Sequence, residues 1–145
     1  MAKNEPLTQL YKGVISHDVQ AVRRALAAGA DPDAAHDDYL HMPLALATGP
    51  LGQDAVAVAL IEGGANVHTK DQYGFTALHY AAHLDKPLAC KALLAAGVDP
   101  NVRSTGRSPS FEGMAKGTTA LKVADDAAIK KLLLEVTTVG LPAAA

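Results

Sequence analysis

The chain has no tryptophan, four tyrosines, two phenylalanines and a single cysteine in 145 residues. One thiol excludes an internal disulfide and a zinc site built from paired cysteines. With so few rings, a core must come from small aliphatic side chains at close helix contacts, and 29 alanines and 18 leucines supply them. Charge is also sparse, at 19% of residues against a usual ~25%. A hydrophobic fraction of 49% excludes a disordered polyampholyte. The net charge of −2 leaves no basic excess for holding nucleic acid by bulk electrostatics. No apolar run reaches the ~18 residues of a membrane span, and the opening Met-Ala-Lys-Asn-Glu lacks the layout of a secretory signal. The expectation is one domain in a reducing cytoplasm, monomeric when free, without membrane or nucleic-acid contacts.

What is present is a repeat. Leu10, Leu44 and Leu78 are 34 residues apart, as are Leu26, Leu60 and Leu94, and Gly29, Gly63 and Gly97. A small residue follows three positions after each first leucine (Gly13, Ala47, Ala81), and the pattern returns out of period at Leu121 and Ala124. Each unit is expected to hold two short helices. First helices start near Thr8, Pro43, Thr76 and Thr119, and second helices span 19–28, 54–62, 87–96 and 127–136. Apolar residues at helical spacing in the second helices (Val22, Ala25, Leu26; Val56, Ala59, Leu60; Cys90, Leu93, Leu94; Ile129, Leu132, Leu133) mark the buried stripe. Glycine at 29, 63 or 64, and 97 ends these helices, where the left-handed conformation favours it. One such unit has nothing to cover its apolar faces, so several must stack. The expected fold is an all-α solenoid of about four helix-turn-helix units, near 6–35, 36–69, 70–102 and 103–136, with a frayed tail over 137–145.

The residues from Gly74 to Ala82 (GFTALHYAA), followed by Leu93 to Asn101 (LLAAGVDPN), resemble an ankyrin repeat. Met42 to Ala47 and Gly117 to Ala124 are similar to the same pattern. This resemblance implies β-hairpin-like loops between units and a protein-binding role. It also implies that His79 bonds the backbone of the neighbouring hairpin; Tyr11, Ala45 and Lys122 stand at that position in the other units. The alanine-rich style resembles small stand-alone bacterial members, some of which act as immunity proteins, effectors or accessory factors.

The stretch from Asn101 to Thr119 is ten residues longer than its counterpart from His68 to Thr76, which predicts a long insertion in the last hairpin. With Arg103, Arg107 and Lys116 against Glu112, and with Phe111, it is either a partner-gripping finger or a tolerated lengthening, which costs little entropy. The positions matching the family's concave face are His36, Asp38, Tyr39 and His41, then Lys70, Gln72, Tyr73, Phe75, His83 and Leu84. Tyr73 and Phe75 are expected to be exposed contacts, with packing against adjacent hairpins as the other reading. Asp31, Asp33, Asp37 and Asp38 toward the first finger oppose the basic residues of the last, an arrangement that would steer a partner.

Catalytic readings lack their parts. Cys90 falls on a core position, where a thiol behaves as a small hydrophobe. Ser104, Ser108 and Ser110 have no fixed base beside them, and no phosphate-binding glycine motif follows a strand. His36, His41 and His83 have no recognised ligand spacing. The expectation is a non-catalytic protein-interaction module without cofactor or metal. An immunity protein that occludes a toxin's active site is the alternative, and a metal or small-molecule binder is a more distant one.

Overall fold

Two helix starts among the described residues are set by an aspartate placed one position before the helix. In a computed structural model of the protein, which describes residues 5–34, 43–48, 53–70, 73–107 and 115–139, eight helices are found among the described residues. The first helices of each pair are α1 (Glu5–Ser16), α3 (Pro43–Thr48), α5 (Ala77–His83) and α7 (Ala120–Val123). Their partners are α2 (Val19–Ala27), α4 (Asp54–Glu62), α6 (Pro87–Ala95) and α8 (Ala127–Val139). Asp18 caps α2 by accepting the Ala21 N–H at 3.0 Å, and Asp126 caps α8 by accepting the Ile129 N–H at 3.0 Å. Each carboxylate satisfies a backbone donor that the first helical turn leaves unpaired. Pro87 opens α6, where a missing N–H costs nothing. Thr76 and Thr119 are the residues before α5 and α7, as their spacing predicts.

Two ends differ from expectation. α1 begins at Glu5 rather than near Thr8, and the Glu5 carboxylate accepts the Gln9 side-chain amide one turn on at 2.6 Å. α8 runs to Val139, past the expected end at 136. α7 is cut to four residues, and the chain turns extended at Ala124, where the sequence is about one helical turn short.

The chain divides into two compact units, Met1–Asn66 and Val67–Ala145. In the first, α1 packs on α2 and α3, and α4 packs on α2 and α3. Leu10, Val14, Val22, Val56, Ala59 and Leu60 are buried between them. In the second, α5 packs on α6 and α7, and α8 packs on α6 and α7. Its core holds Leu78, Ala81, Ala82, Ala89, Cys90, Leu93, Ile129 and Leu133, with the Cys90 thiol fully enclosed. The small residues explain how the helices come so close. A Cβ on Gly13 would stand 3.0 Å from both the Cγ2 and the backbone nitrogen of Val22.

The turn inside each pair also repeats. His17 and Asp85, two periods apart, both take left-handed backbone, with φ of 61° and 56°. That twist lets the next N–H turn back into the first helix, from Asp18 to the Gly13 carbonyl and from Lys86 to the Ala81 carbonyl, each at 2.9 Å. At the far end of the second helices the left-handed glycines are Gly29, Gly64 and Gly97. The choice that the spacing leaves open between 63 and 64 falls on Gly64, because Gly63 still has a negative φ and caps α4.

Candidate functional site: the hairpin stem and the base of the 104–118 loop

Strand pairing among the described residues is confined to one antiparallel bridge, Lys70 to Thr76. It closes a short stem that leads into α5. Thr76 ends this stem as the residue before α5, and its N–H donates to Nδ1 of His79 at 3.0 Å. That fixes the tautomer: Nδ1 accepts, so Nε2 carries the proton and donates to the Thr118 carbonyl at 2.9 Å. His79 is 1% exposed, so both bonds lie away from water, where an unpaired donor or acceptor costs most. The ring thus ties the start of α5 to the chain entering α7. Tyr11 does a related job in the first unit. It is longer, and its hydroxyl reaches the Ala34 carbonyl at 2.9 Å.

Thr118 belongs to a second stem, at the base of the 104–118 loop. The Ser104 N–H donates to the Thr118 carbonyl at 3.0 Å, and the Gly117 N–H donates to the Ser104 carbonyl at 2.8 Å. Two residues thus face one, with Gly117 at φ +79°, which is the pattern of a glycine bulge. The Ser104 hydroxyl completes the clasp. It donates to the Ala115 carbonyl at 2.7 Å and accepts the Thr118 N–H at 3.1 Å. Ser104 is 4% exposed. Ser104 has no base beside it in the sequence, and its role here is structural: its backbone and side chain together close the base of the loop.

The two stems are joined. The Tyr73 carbonyl accepts the N–H groups of Thr105 and Gly106, at 2.9 and 3.1 Å. Gly74 faces Thr105 so closely that a Cβ there would come within 2.8 Å of the Thr105 nitrogen. The Tyr73 ring edge lies over Gly106, 3.4 Å from where a Cβ would stand.

This geometry sorts the expected contact residues. Phe75 is not an exposed contact: it is 1% accessible, with its ring edge-on to His79 at 5.3 Å and tilted against Tyr80 at 6.1 Å. The physical reason is local. Phe75 precedes the cap of α5 and Tyr80 is the fourth helical residue, the pairing of a hydrophobic staple that fixes the entry angle of a helix. Its place directly before Thr76 was the signal for this. Tyr73 is half-buried and does pack on a neighbouring loop, with its ring edge against Gly106. His83 and Leu84, at the end of α5, are half-buried. Lys70, Arg103, Arg107 and Lys116 are exposed. His36, Asp38, Tyr39, His41, Gln72 and Phe111 lie outside the described residues.

The acidic end is partly structural. Asp31 accepts the Asp33 N–H at 2.9 Å, and Asp33 accepts the Asn66 N–H at 2.7 Å, so both carboxylates hold turns. Asp99, two periods after Asp31, holds the Asn101 N–H in the same way. Among the described residues no three His, Cys, Asp or Glu side chains come together as a metal site, and no helix is long and apolar enough to cross a membrane.

Paired helices with left-handed inner turns, glycine-ended second helices and stems tied down by a buried histidine define a helical-repeat protein of the hairpin-bearing kind. The family model for ankyrin repeats, in three copies, matches residues 10–104, and the chain belongs to that family. It is 38% identical over 91 residues to the human SH3 and multiple ankyrin repeat domains protein 1, a match covering 62% of this chain and 4% of that protein. It is 28% identical over 136 residues to the nuclear factor NF-kappa-B p105 subunit of Gallus gallus, covering 86% of this chain and 14% of that one. A putative ankyrin repeat protein of fowlpox virus is 49% identical over 47 residues, 32% of this chain and 9% of that protein. The chain therefore spans only a small part of these relatives, which are eukaryotic and viral where the alanine-rich style suggested a bacterial likeness. Ankyrin repeats are in general protein–protein interaction modules.

Proposed function

We propose that this chain is a non-catalytic interaction module that holds one protein partner on its hairpin tips, the exposed sides of its first helices and the 104–118 loop. The observation that carries this reading is the Ser104 clasp. A loop that served no purpose could be tolerated without one, whereas here the Ser104 side chain and backbone make four hydrogen bonds that fix its base. A surface ordered beforehand loses less conformational freedom when a partner arrives. Tyrosine and arginine are the side chains most often dominant in such contacts; Tyr73 bonds to this base through its carbonyl, and Arg103 and Arg107 stand next to its bonded residues in the chain.

The experiment is site-specific photocrosslinking. A crosslinking amino acid at Leu84, half-buried at the end of α5, is compared with one at Lys130, exposed on α8. The reading expects one discrete adduct from position 84 and none from position 130. Capture from 130 alone would place the partner on the second helices and overturn it.

A further inference from the structure

The stretch from Arg103 to Gly117 carries three basic residues and one acidic one, in a chain whose net charge is −2. Arg103 and Lys116 each sit one residue from the bonded pair formed by Ser104 and Gly117, on opposite sides of the clasp. With ~5.5 Å across a bonded pair and ~3.8 Å per residue, their Cα atoms are at most ~13 Å apart, close enough for two long side chains to share one ligand. Arg107 follows the Thr105 and Gly106 amides that bond to Tyr73. Thus three exposed cations and one half-buried tyrosine are attached to a single hydrogen-bonded scaffold.

We infer that the base of the 104–118 loop is a docking point for an acidic peptide segment of the partner, gripped by Arg103, Arg107 and Lys116 beside Tyr73. This rests on the interaction-module reading and adds to it the chemistry of the partner. Guanidinium groups match carboxylates with two parallel hydrogen bonds, and a rigid base keeps them spaced for a particular run of carboxylates. The contact is exposed, so its strength depends on ionic strength and its main effect is on the association rate.

The test uses a fluorescein-labelled peptide of ten glutamates, with anisotropy read across about 50 to 400 mM salt. Wild type is compared with an Arg103→Glu/Arg107→Glu variant and with a Lys130→Glu/Lys131→Glu control of equal charge change on α8, all checked for folding by circular dichroism. The inference expects binding that weakens with salt, a loss of at least about tenfold in the loop variant and less than about twofold in the control. Equal loss in both variants would reduce the effect to net charge and overturn it. Tighter binding of an oligothymidylate of the same charge would overturn it in favour of nucleic acid. Photocrosslinking from position 115, where the exposed Ala115 side chain is not part of the proposed grip, separates this failure from that of the broader reading. A partner caught at 84 but not at 115 removes the acidic docking point alone, and a partner caught at neither removes both.

Discussion

Replacing His79 by alanine should be among the most damaging single changes outside the aliphatic core. The imidazole is buried; its Nδ1 accepts the Thr76 N–H at 3.0 Å and lies 3.0 Å from the Thr76 hydroxyl, and its Nε2 donates to the Thr118 carbonyl at 2.9 Å. Thr118 would keep one donor, because the Ser104 N–H also reaches its carbonyl. Thr76, itself 3% exposed, would be left with an unpaired buried N–H, which costs about 1–3 kcal/mol. The vacated ring volume, under Phe75, adds about 2 kcal/mol if the site collapses only in part. The expected loss is therefore about 3–5 kcal/mol, a large share of the 5–15 kcal/mol typical of a domain. Urea unfolding of wild type and variant measures it. A fall in midpoint with an unchanged slope reports lost stability, whereas a lower slope reports prior fraying of the α7–α8 pair. A loss below about 1 kcal/mol at unchanged slope would refute the reasoning, since it would mean that neither bond is costly to break.

Other outcomes follow from the same geometry. Ser104→Ala removes the acceptor of the Thr118 N–H and the donor to Ala115, so it should cost about 1–3 kcal/mol in urea unfolding, despite deleting one atom. Gly74→Ala meets both a φ of +78° and a backbone atom at 2.8 Å, so it should lower stability by about 1–3 kcal/mol, read as a thermal midpoint shift. Asp85→Val should destabilise by about 1–2 kcal/mol, because a β-branched side chain does not tolerate the left-handed turn; Asp85→Gly should be neutral or mildly stabilising. The Arg23–Glu62 pair, at 3.4 Å with both side chains more than half exposed, should change stability by less than about 0.5 kcal/mol when Glu62 becomes Gln.

The helix pairs were legible in the sequence because they rest on local rules: leucine spacing, proline at a first turn, threonine before a helix, glycine after one. The shortening of the last pair is legible in the same way, because Leu121 and Leu133 are 12 residues apart where Leu10 and Leu26, Leu44 and Leu60, and Leu78 and Leu94 are 16 apart. The hairpins were harder. Phe75 is expected to be exposed because hairpin aromatics have two possible fates; its place directly before Thr76, five residues ahead of Tyr80 in staple spacing, is the signal for burial, and its contacts with His79 and Tyr80 show it. The bonds of Ser104 were not legible because its partners, at 115, 117 and 118, lie at the far end of the loop that it closes. No pattern within a few residues of a serine announces a bond across that gap. Tyr11 was seen to occupy the place of His79, but its reach to Ala34 depends on a ring length that spacing does not encode. The hydrogen bonds of Asp31 and Asp33 were not legible either, since carboxylates that hold turns have the same letters as carboxylates that only face solvent.

The most direct test of a preformed binding surface is amide hydrogen exchange at the loop base in the free protein. If the clasp holds before any partner arrives, the Ser104, Thr105, Gly117 and Thr118 amides exchange slower than the unstructured chain by on the order of a thousandfold, in step with the amides of α5. Exchange of these four amides near the unstructured rate, with α5 still protected, would show that the loop is ordered only on binding and would contradict the account.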